Sequence, residues 1–330
     1  MLAVLVLAWA VPPAQADTLR IATFNAELTR KGPGLLLRDI LKGEDAQIAA
    51  FTEMVQSVKP DIIALQGIDW DLKQTALDAL VAHLAAAGLS YGHSFTAAPN
   101  AGLASGLDLN GNGRLGDADD AHGYGRFNGN GGMAILSRFP VLQDAVEDYT
   151  TLLWRDLPDH LYPVMNDGPF GGEAVFAAHR LSSRGHWIVP VETPDHGPLR
   201  LMTFYATPPL YDGNEGRNKR RNHDEVAFWR SYLDERTDTA PFVLLGTANV
   251  DPKRGSGMPG AINGLLDHPQ LQNPFGDTPT AVFSDKMPEG LQVDYLLPSM
   301  DWRVIDQGIV TRAEASRHSL LWVDLRRGNP

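Results

Sequence analysis

Gly131-Gly132-Met133-Ala134-Ile135-Leu136-Ser137-Arg138-Phe139-Pro140 is the stretch at which this chain changes character. Residues 133–136 form a short apolar run between glycines and a Ser-Arg-Phe-Pro turn, the pattern of a buried strand. Before it, strands and helices alternate. Residues 19–25 read as a first strand, and residues 44–59 place Ile48, Phe51, Val55 and Val58 on one helical face beside Ala49 and Thr52. Pro60-Asp61 ends that helix, residues 62–65 read as a buried strand, and an alanine-rich helix over 73–87 is closed by Gly88. After the opening stretch strands dominate, at 187–191, 199–205, 242–245, 293–297 and 320–325. One helix over 222–233 interrupts them, with Val226, Trp229 and Leu233 in register and Asn222 as its N-cap. Alternation followed by strands predicts an α+β fold, two packed sheets flanked by helices, rather than a doubly wound parallel sheet. Trp187, Trp229, Trp302 and Trp322 are assigned to its core.

Composition narrows the function classes. The 330 residues carry 40 acidic against 28 basic side chains, a net charge of −12, and no cysteine. Thiol catalysis, zinc thiolate sites, iron–sulfur ligation and disulfides are excluded together. A general positive field for coating nucleic acid or anionic membrane is absent, which leaves room only for a local basic patch. Residues 1–16 read as a signal peptide: an apolar run to Val11, a Pro12-Pro13 break and the small-residue site Ala14-Gln15-Ala16, although no Lys or Arg precedes the run. The other reading of that run is a buried N-terminal strand. Export predicts a periplasmic or secreted protein with no membrane span in the mature chain. Without a repeat or long linker, residues 17–330 read as one domain, expected to be a monomer.

Polar residues recur at the strand ends in a fixed order. Thr23-Phe24-Asn25-Ala26-Glu27 follows the first strand and Leu65-Gln66-Gly67-Ile68-Asp69 the second. Then come the opening stretch, Phe204-Tyr205-Ala206-Thr207-Pro208-Pro209, and the segment from Asp212-Gly213 to Arg217-Asn218-Lys219-Arg220-Arg221-Asn222-His223-Asp224-Glu225. Leu245-Gly246-Thr247-Ala248-Asn249, Val293-Asp294-Tyr295 and Ser316-Arg317-His318 complete the series. In order and spacing the chain resembles the endonuclease/exonuclease/phosphatase superfamily, metal-dependent phosphoesterases related to pancreatic deoxyribonuclease, over about residues 19–325. The resemblance implies a four-layer α/β/β/α sandwich with the active site at one end of the two sheets. It also implies divalent-metal-dependent hydrolysis of a phosphate ester, a small molecule or nucleic acid, with Mg²⁺ or Mn²⁺ held by oxygen ligands.

Laid on that pattern, Asn25 matches the first-strand Asn, Asn249 the Asn of "GDxN", Asp294 the Asp of the "DY" strand and His318 the His of "SDH". These are the expected catalytic residues. Four other positions depart: Gly67 replaces the metal-binding Glu of "LQE", Tyr205 a His, Thr247 the Asp of "GDxN" and Arg317 the Asp of "SDH". Gly67 has no side-chain ligand, Thr247 offers no carboxylate, and Arg317 is expected to lower the proton affinity of His318. Two outcomes follow. Glu27, Asp69, Asp251 and Asp71 lie near the lost positions and are candidates for a displaced metal site. Alternatively the chain is a catalytically inactive member, and Arg317 with Arg217, Lys219, Arg220 and Arg221 binds a phosphorylated ligand or a protein partner. The plainer reading of each carboxylate is a loop residue or turn cap, and of the basic cluster a solvated loop.

Independently of the family, residues 108–119 carry oxygen side chains at positions 1, 3, 5 and 12 (Asp108, Asn110, Asn112 and Asp119), with Gly113 at position 6. With the Arg114 carbonyl at position 7 this is a calcium-type loop, expected to bind Ca²⁺ on the order of 10⁻⁴–10⁻³ M. Its alternative is a flexible Asn/Gly turn. His186 and His223 are read as packing or capping residues.

Overall fold

Period-two alternation decides the layers. In the first strand Ile21 points one way while Ala22 and Phe24 point the other. The next repeats the pattern, with Ile62 and Ala64 opposed to Ile63 and Leu65. A strand that is apolar on both faces must be covered on both, which requires a second sheet on one side and helices on the other. The computed structural model describes residues 18–165, 168–194, 197–285 and 287–328. The segment read as a signal peptide lies outside the described residues.

In chain order the elements are β1 (Leu19–Asn25), α1 (Leu35–Lys42), α2 (Ala46–Val58), β2 (Ile62–Ile68), α3 (Thr75–Ala86), β3 (His93–Phe95) and β4 (Gly132–Ser137). They continue with β5 (Glu147–Asp148), β6 (Val164–Met165), β7 (Gly168–Pro169), α4 (Glu173–Ala178), β8 (His186–Thr193), β9 (Gly197–Tyr205) and α5 (Arg217–Glu235). Last come β10 (Phe242–Thr247), α6 (Gly260–Leu266), β11 (Asp294–Pro298), β12 (Trp302–Val310) and β13 (Leu320–Arg327). One sheet has the order β12-β13-β1-β2-β4-β3 and the other β11-β10-β9-β8-β5, with β6 and β7 as a separate ribbon. Between the sheets, Ile21, Ile135, Trp187, Val189, Leu201 and Leu245 belong to one buried cluster. Helices α1 to α3 cover the outer face of the first sheet, and α5 and α6 that of the second. The fold is therefore the expected α+β, four-layer α/β/β/α sandwich.

Helix starts follow the available caps. Asp45 accepts from the Ile48 amide at 2.9 Å and opens α2, while Asp71 accepts from the Thr75 and Ala76 amides at 3.0 and 2.9 Å and opens α3. Asn222 is not the cap expected of it. Helix α5 begins at Arg217 because Asp212 takes the Asn218 and Lys219 amides, at 2.6 and 2.9 Å. Buried one turn further in, Asn222 donates through Nδ2 to the Thr207 and Ala248 carbonyls, both at 2.7 Å. Strand β12 escaped the reading because it is a sheet edge, fully buried only at Trp302, with a bulge between Val304 and Asp306. Among the described residues no helix is long and apolar enough to cross a membrane.

Register brings the chemistry to one end. β1 and β2 are parallel, with Asn25 opposite Gln66, and β9 and β10 are parallel, with Tyr205 opposite Thr247. Antiparallel β11 places Asp294 beside Thr247. His318 arrives two residues before β13, which pairs antiparallel with β1.

Candidate active site

Three side chains from three strand ends form a buried chain of hydrogen bonds. The Thr247 hydroxyl donates to Asp294 Oδ1 at 2.6 Å, and His318 Nδ1 lies 2.8 Å from Asp294 Oδ2. A carboxylate can only accept, so Nδ1 carries the proton and Nε2 is left as an acceptor. Asp294 is fixed from behind, where its amide and that of Val293 donate to Thr280 Oγ1 at 2.9 and 3.0 Å. Arg317 does oppose protonation of His318, as expected, but it does not decide the direction of the shift. Burial and Arg317 do disfavour the imidazolium, but the Asp294 carboxylate, aided by Glu27, outweighs them and raises the His318 pKa above its ordinary value. The orienting carboxylate comes from position 294, so Arg317 has no such task.

Arg317 is instead bound to Glu27, 290 residues away in sequence. Its Nε lies 3.0 Å from Glu27 Oε1, its Nη2 bonds the same oxygen, and its backbone amide donates to Oε2 at 2.9 Å. Ser316 Oγ donates to Oε2 at 3.1 Å. Burial opposes ionisation of Glu27, yet the Arg317 hydrogen bonds prevail and lower its pKa. Behind this pair Gly67 adopts φ +73°, and a Cβ there would sit 2.8 Å from Asn25 Oδ1 and 3.0 Å from the Glu27 amide nitrogen. Asn25 is 1% exposed, and its Nδ2 has no hydrogen-bond partner.

In front of these residues opens a cleft of about 470 Å³. Arg30, Lys31, Arg126, Arg184 and Arg317 line it with a single carboxylate, Glu27, so basic side chains predominate there although the whole chain carries −12; Arg30 is itself paired with Asp39 and Asp45. Arg184 stands 5.4 Å from the centre of the Tyr205 ring. Tyr124 and Arg184 also belong to an adjoining hollow of about 420 Å³, together with Tyr211, Arg217 and Arg221. Of the basic cluster in sequence, Lys219 and Arg220 line neither space. Arg221 is committed to the backbone carbonyls of Leu181, Arg180 and Ser182, at 2.8, 2.9 and 2.9 Å.

Sequence comparison places this geometry. A model of the Endonuclease/Exonuclease/phosphatase family matches residues 22–318. The chain belongs to the endonuclease/exonuclease/phosphatase family. Membership supports a phosphoesterase-type function. No curated protein matches the chain in sequence. Among solved structures, a family protein from Beutenbergia cavernae DSM 12333 is similar, with 18% identity and a TM-score of 0.60, covering 95% of this chain and 72% of its own. Sphingomyelinase C from Streptomyces griseocarneus shares 16% identity at a TM-score of 0.52, covering 94% and 99%. The human Nocturnin catalytic domain shares 13% at 0.52, covering 96% and 95%. At these identities the likeness is one of fold.

Endonuclease/exonuclease/phosphatase proteins generally use divalent cations, but the carboxylates of this member do not fit one. Asp69 accepts from Thr29 Oγ1 at 2.6 Å and from the Arg30 and Gly131 amides at 2.8 and 2.9 Å, tying two loops together. Asp251 accepts from the Lys253, Arg254 and Gln292 amides, each at 2.8 Å, and so caps a turn. Glu27 is saturated by Arg317 and Ser316, and Asp71 caps α3. Among the described residues no three His, Asp or Glu side chains gather around one point, so the expected displaced site of Glu27, Asp69 and Asp251 is not assembled. In the 108–119 loop, Asp108 takes the Asn112 and Gly113 amides at 3.1 and 2.7 Å, Asn110 the Asn112 amide and Asn112 the Arg114 amide. Asp119 pairs instead with Arg217 at 3.8 Å, and Asp117 accepts from Asn112 Nδ2 at 2.7 Å. Asn249 has φ +55° and donates to the Ala206 carbonyl at 2.8 Å.

Sequence reading missed Arg184, Arg126 and Tyr124, because loops from distant segments bring them to the cleft. It also missed the task of Thr247. A hydroxyl cannot replace a carboxylate as a base, but it can orient one.

Proposed function

We propose that this protein is an exported phosphoester hydrolase in which His318, oriented by Asp294, is the general base and the arginine-lined cleft receives the phosphate. The observation that carries the proposal is the 2.8 Å His318–Asp294 pair, reinforced by Thr247 and one residue from Arg317 in the cleft wall. Neutral Nε2 takes a proton from water as its oxygen bonds to phosphorus and the ester P–O bond breaks. The imidazolium then returns that proton to the leaving oxygen. Arg317 and Arg184 neutralise the charge accumulating on the phosphoryl oxygens, and the adjoining hollow holds the organic part of the ester. Location in the periplasm or outside the cell rests on residues 1–16. Calcium at Asp108, Asn110, Asn112 and the Arg114 carbonyl belongs to the same proposal; calcium that leaves the melting temperature unchanged counts against it.

Release of p-nitrophenol from p-nitrophenyl phosphate and bis(p-nitrophenyl) phosphate tests the chemistry. His318→Ala should lower kcat/KM by about 10²–10⁴-fold. The base must be neutral and its pKa is raised, so the rate should fall on the acid side with a midpoint above 6.5, and Asp294→Asn should move that midpoint down. A second reading, phosphate binding without cleavage, is favoured by the Glu27–Arg317 pair, which consumes a carboxylate that a displaced metal site would need. Tight binding of the diester with no turnover by the wild type selects it.

A further inference from the structure

We infer that the Arg317 guanidinium, clamped by Glu27, is the cation of this cleft and that oxyanion binding here needs no divalent ion. The inference rests on the reading that the cleft receives a phosphate ester. It is drawn from what the donors and acceptors still have to offer.

Every group that would face a cation is spent or of the wrong kind. Both Glu27 oxygens accept hydrogen bonds from residues 316 and 317. An ion reaching them must first displace a guanidinium held by three of its own contacts. Gly67 supplies no ligand, and its positive φ together with the 2.8 Å approach to Asn25 Oδ1 leaves no room for one. That same Asn25 oxygen faces the Glu27 amide, which leaves the asparagine with its buried Nδ2 donor unspent. A cation repels an N–H group.

The unspent groups all suit an anion. Asn25 Nδ2 is buried and unpaired, and so is Arg184 Nε in the cleft wall. Burying an unpaired donor is costly, about 1–3 kcal/mol in general, and an oxyanion satisfies it. Arg317 uses Nε and Nη2 on Glu27, which leaves Nη1, without a partner among the described residues, to meet a phosphate oxygen. Its plane is steadied by Phe283, whose ring centre is 5.4 Å from Cζ. Glu27 thus aims a guanidinium where a carboxylate-bound metal would otherwise stand, and the positive charge becomes part of the chain.

Isothermal titration of the full chain with inorganic phosphate, in EDTA and then in excess Mg²⁺ or Mn²⁺, tests this. Phosphate should bind in EDTA, with an affinity changed less than twofold by either metal. Arg317→Gln should weaken it at least tenfold, and Arg184→Gln should do likewise if the first variant is poorly folded. Circular dichroism of each variant separates lost binding from lost structure. Binding that appears only with added metal overturns the inference and leaves the proposed hydrolase standing. Equal binding by the wild type and by folded Arg317→Gln and Arg184→Gln also overturns it. Absence of phosphate binding in both conditions overturns the inference together with the proposed function.

Discussion

Gly67 shows how a one-residue replacement reshapes its neighbourhood rather than subtracting a ligand. Restoring the family's glutamate there would force a Cβ against Asn25 Oδ1 and a side chain into a backbone conformation suited to glycine. Gly67→Glu is therefore expected to destabilise the fold by about 1–3 kcal/mol and to add no affinity for Mg²⁺, as read by urea unfolding with and without the ion. Asn25, Asp294 and His318 were legible in sequence because each matches a motif of the family the chain resembles, set at a strand end. The partnership of Glu27 with Arg317 was not. It depends on the last loop folding back onto the end of the first strand, and no local spacing records a contact over 290 residues.

Helix α5 joins the second sheet to the loops of the cleft. Its inner face carries Asn222 to two carbonyls and Glu225 to the Ser183 and Thr207 amides, at 2.5 and 2.6 Å, while Arg221 holds four more carbonyls. The apolar residues Val226, Trp229 and Leu233 were readable as a helix from their spacing. The polar turn before them read as a solvated loop ending in the Asn222 cap, since sequence alone does not tell a buried hydrogen-bonding face from a hydrated one. Asn222→Ala would leave the Thr207 and Ala248 carbonyls without donors. A loss of about 2–4 kcal/mol is expected, seen as a lower urea midpoint. Because Thr207 lines the hollow beside the cleft, KM for the phosphoester should rise in the same variant.

Across the whole molecule, acid should be the weakest condition. His186 is fully buried and neutral between the Ser182 hydroxyl and the Glu225 carbonyl, and burial brings its pKa down to about 4. The unfolded chain takes up this proton near pH 6.5 but the folded chain only near 4, so stability falls as pH drops between those values, by up to about 3 kcal/mol. Buried His179 shifts in the same direction. His318, raised by Asp294, works oppositely: its contribution is complete below pH 6.5 and fades as pH rises through its folded value. Urea midpoints at pH 7 and pH 4.5 should show the net acid loss, and His186→Gln should flatten it at the cost of stability at pH 7. The layers themselves were legible from alternation and element order, because a strand apolar on both faces admits few surroundings. The edge strand β12 was not, since a bulge breaks its alternation and only Trp302 in it is fully buried.

The two sheets share one plan. In the first, β13, β1, β2 and β4 pair antiparallel, parallel and antiparallel; in the second, β11, β10, β9 and β8 repeat that order. The parallel pairs end at Asn25 and Gln66 on one side and at Thr247 and Tyr205 on the other. Each half brings an incomplete grip, and neither could grasp a ligand unaided. A phosphate seated between Arg317 and Arg184 would act as a rivet through both halves, resisting any sliding of one sheet across the other.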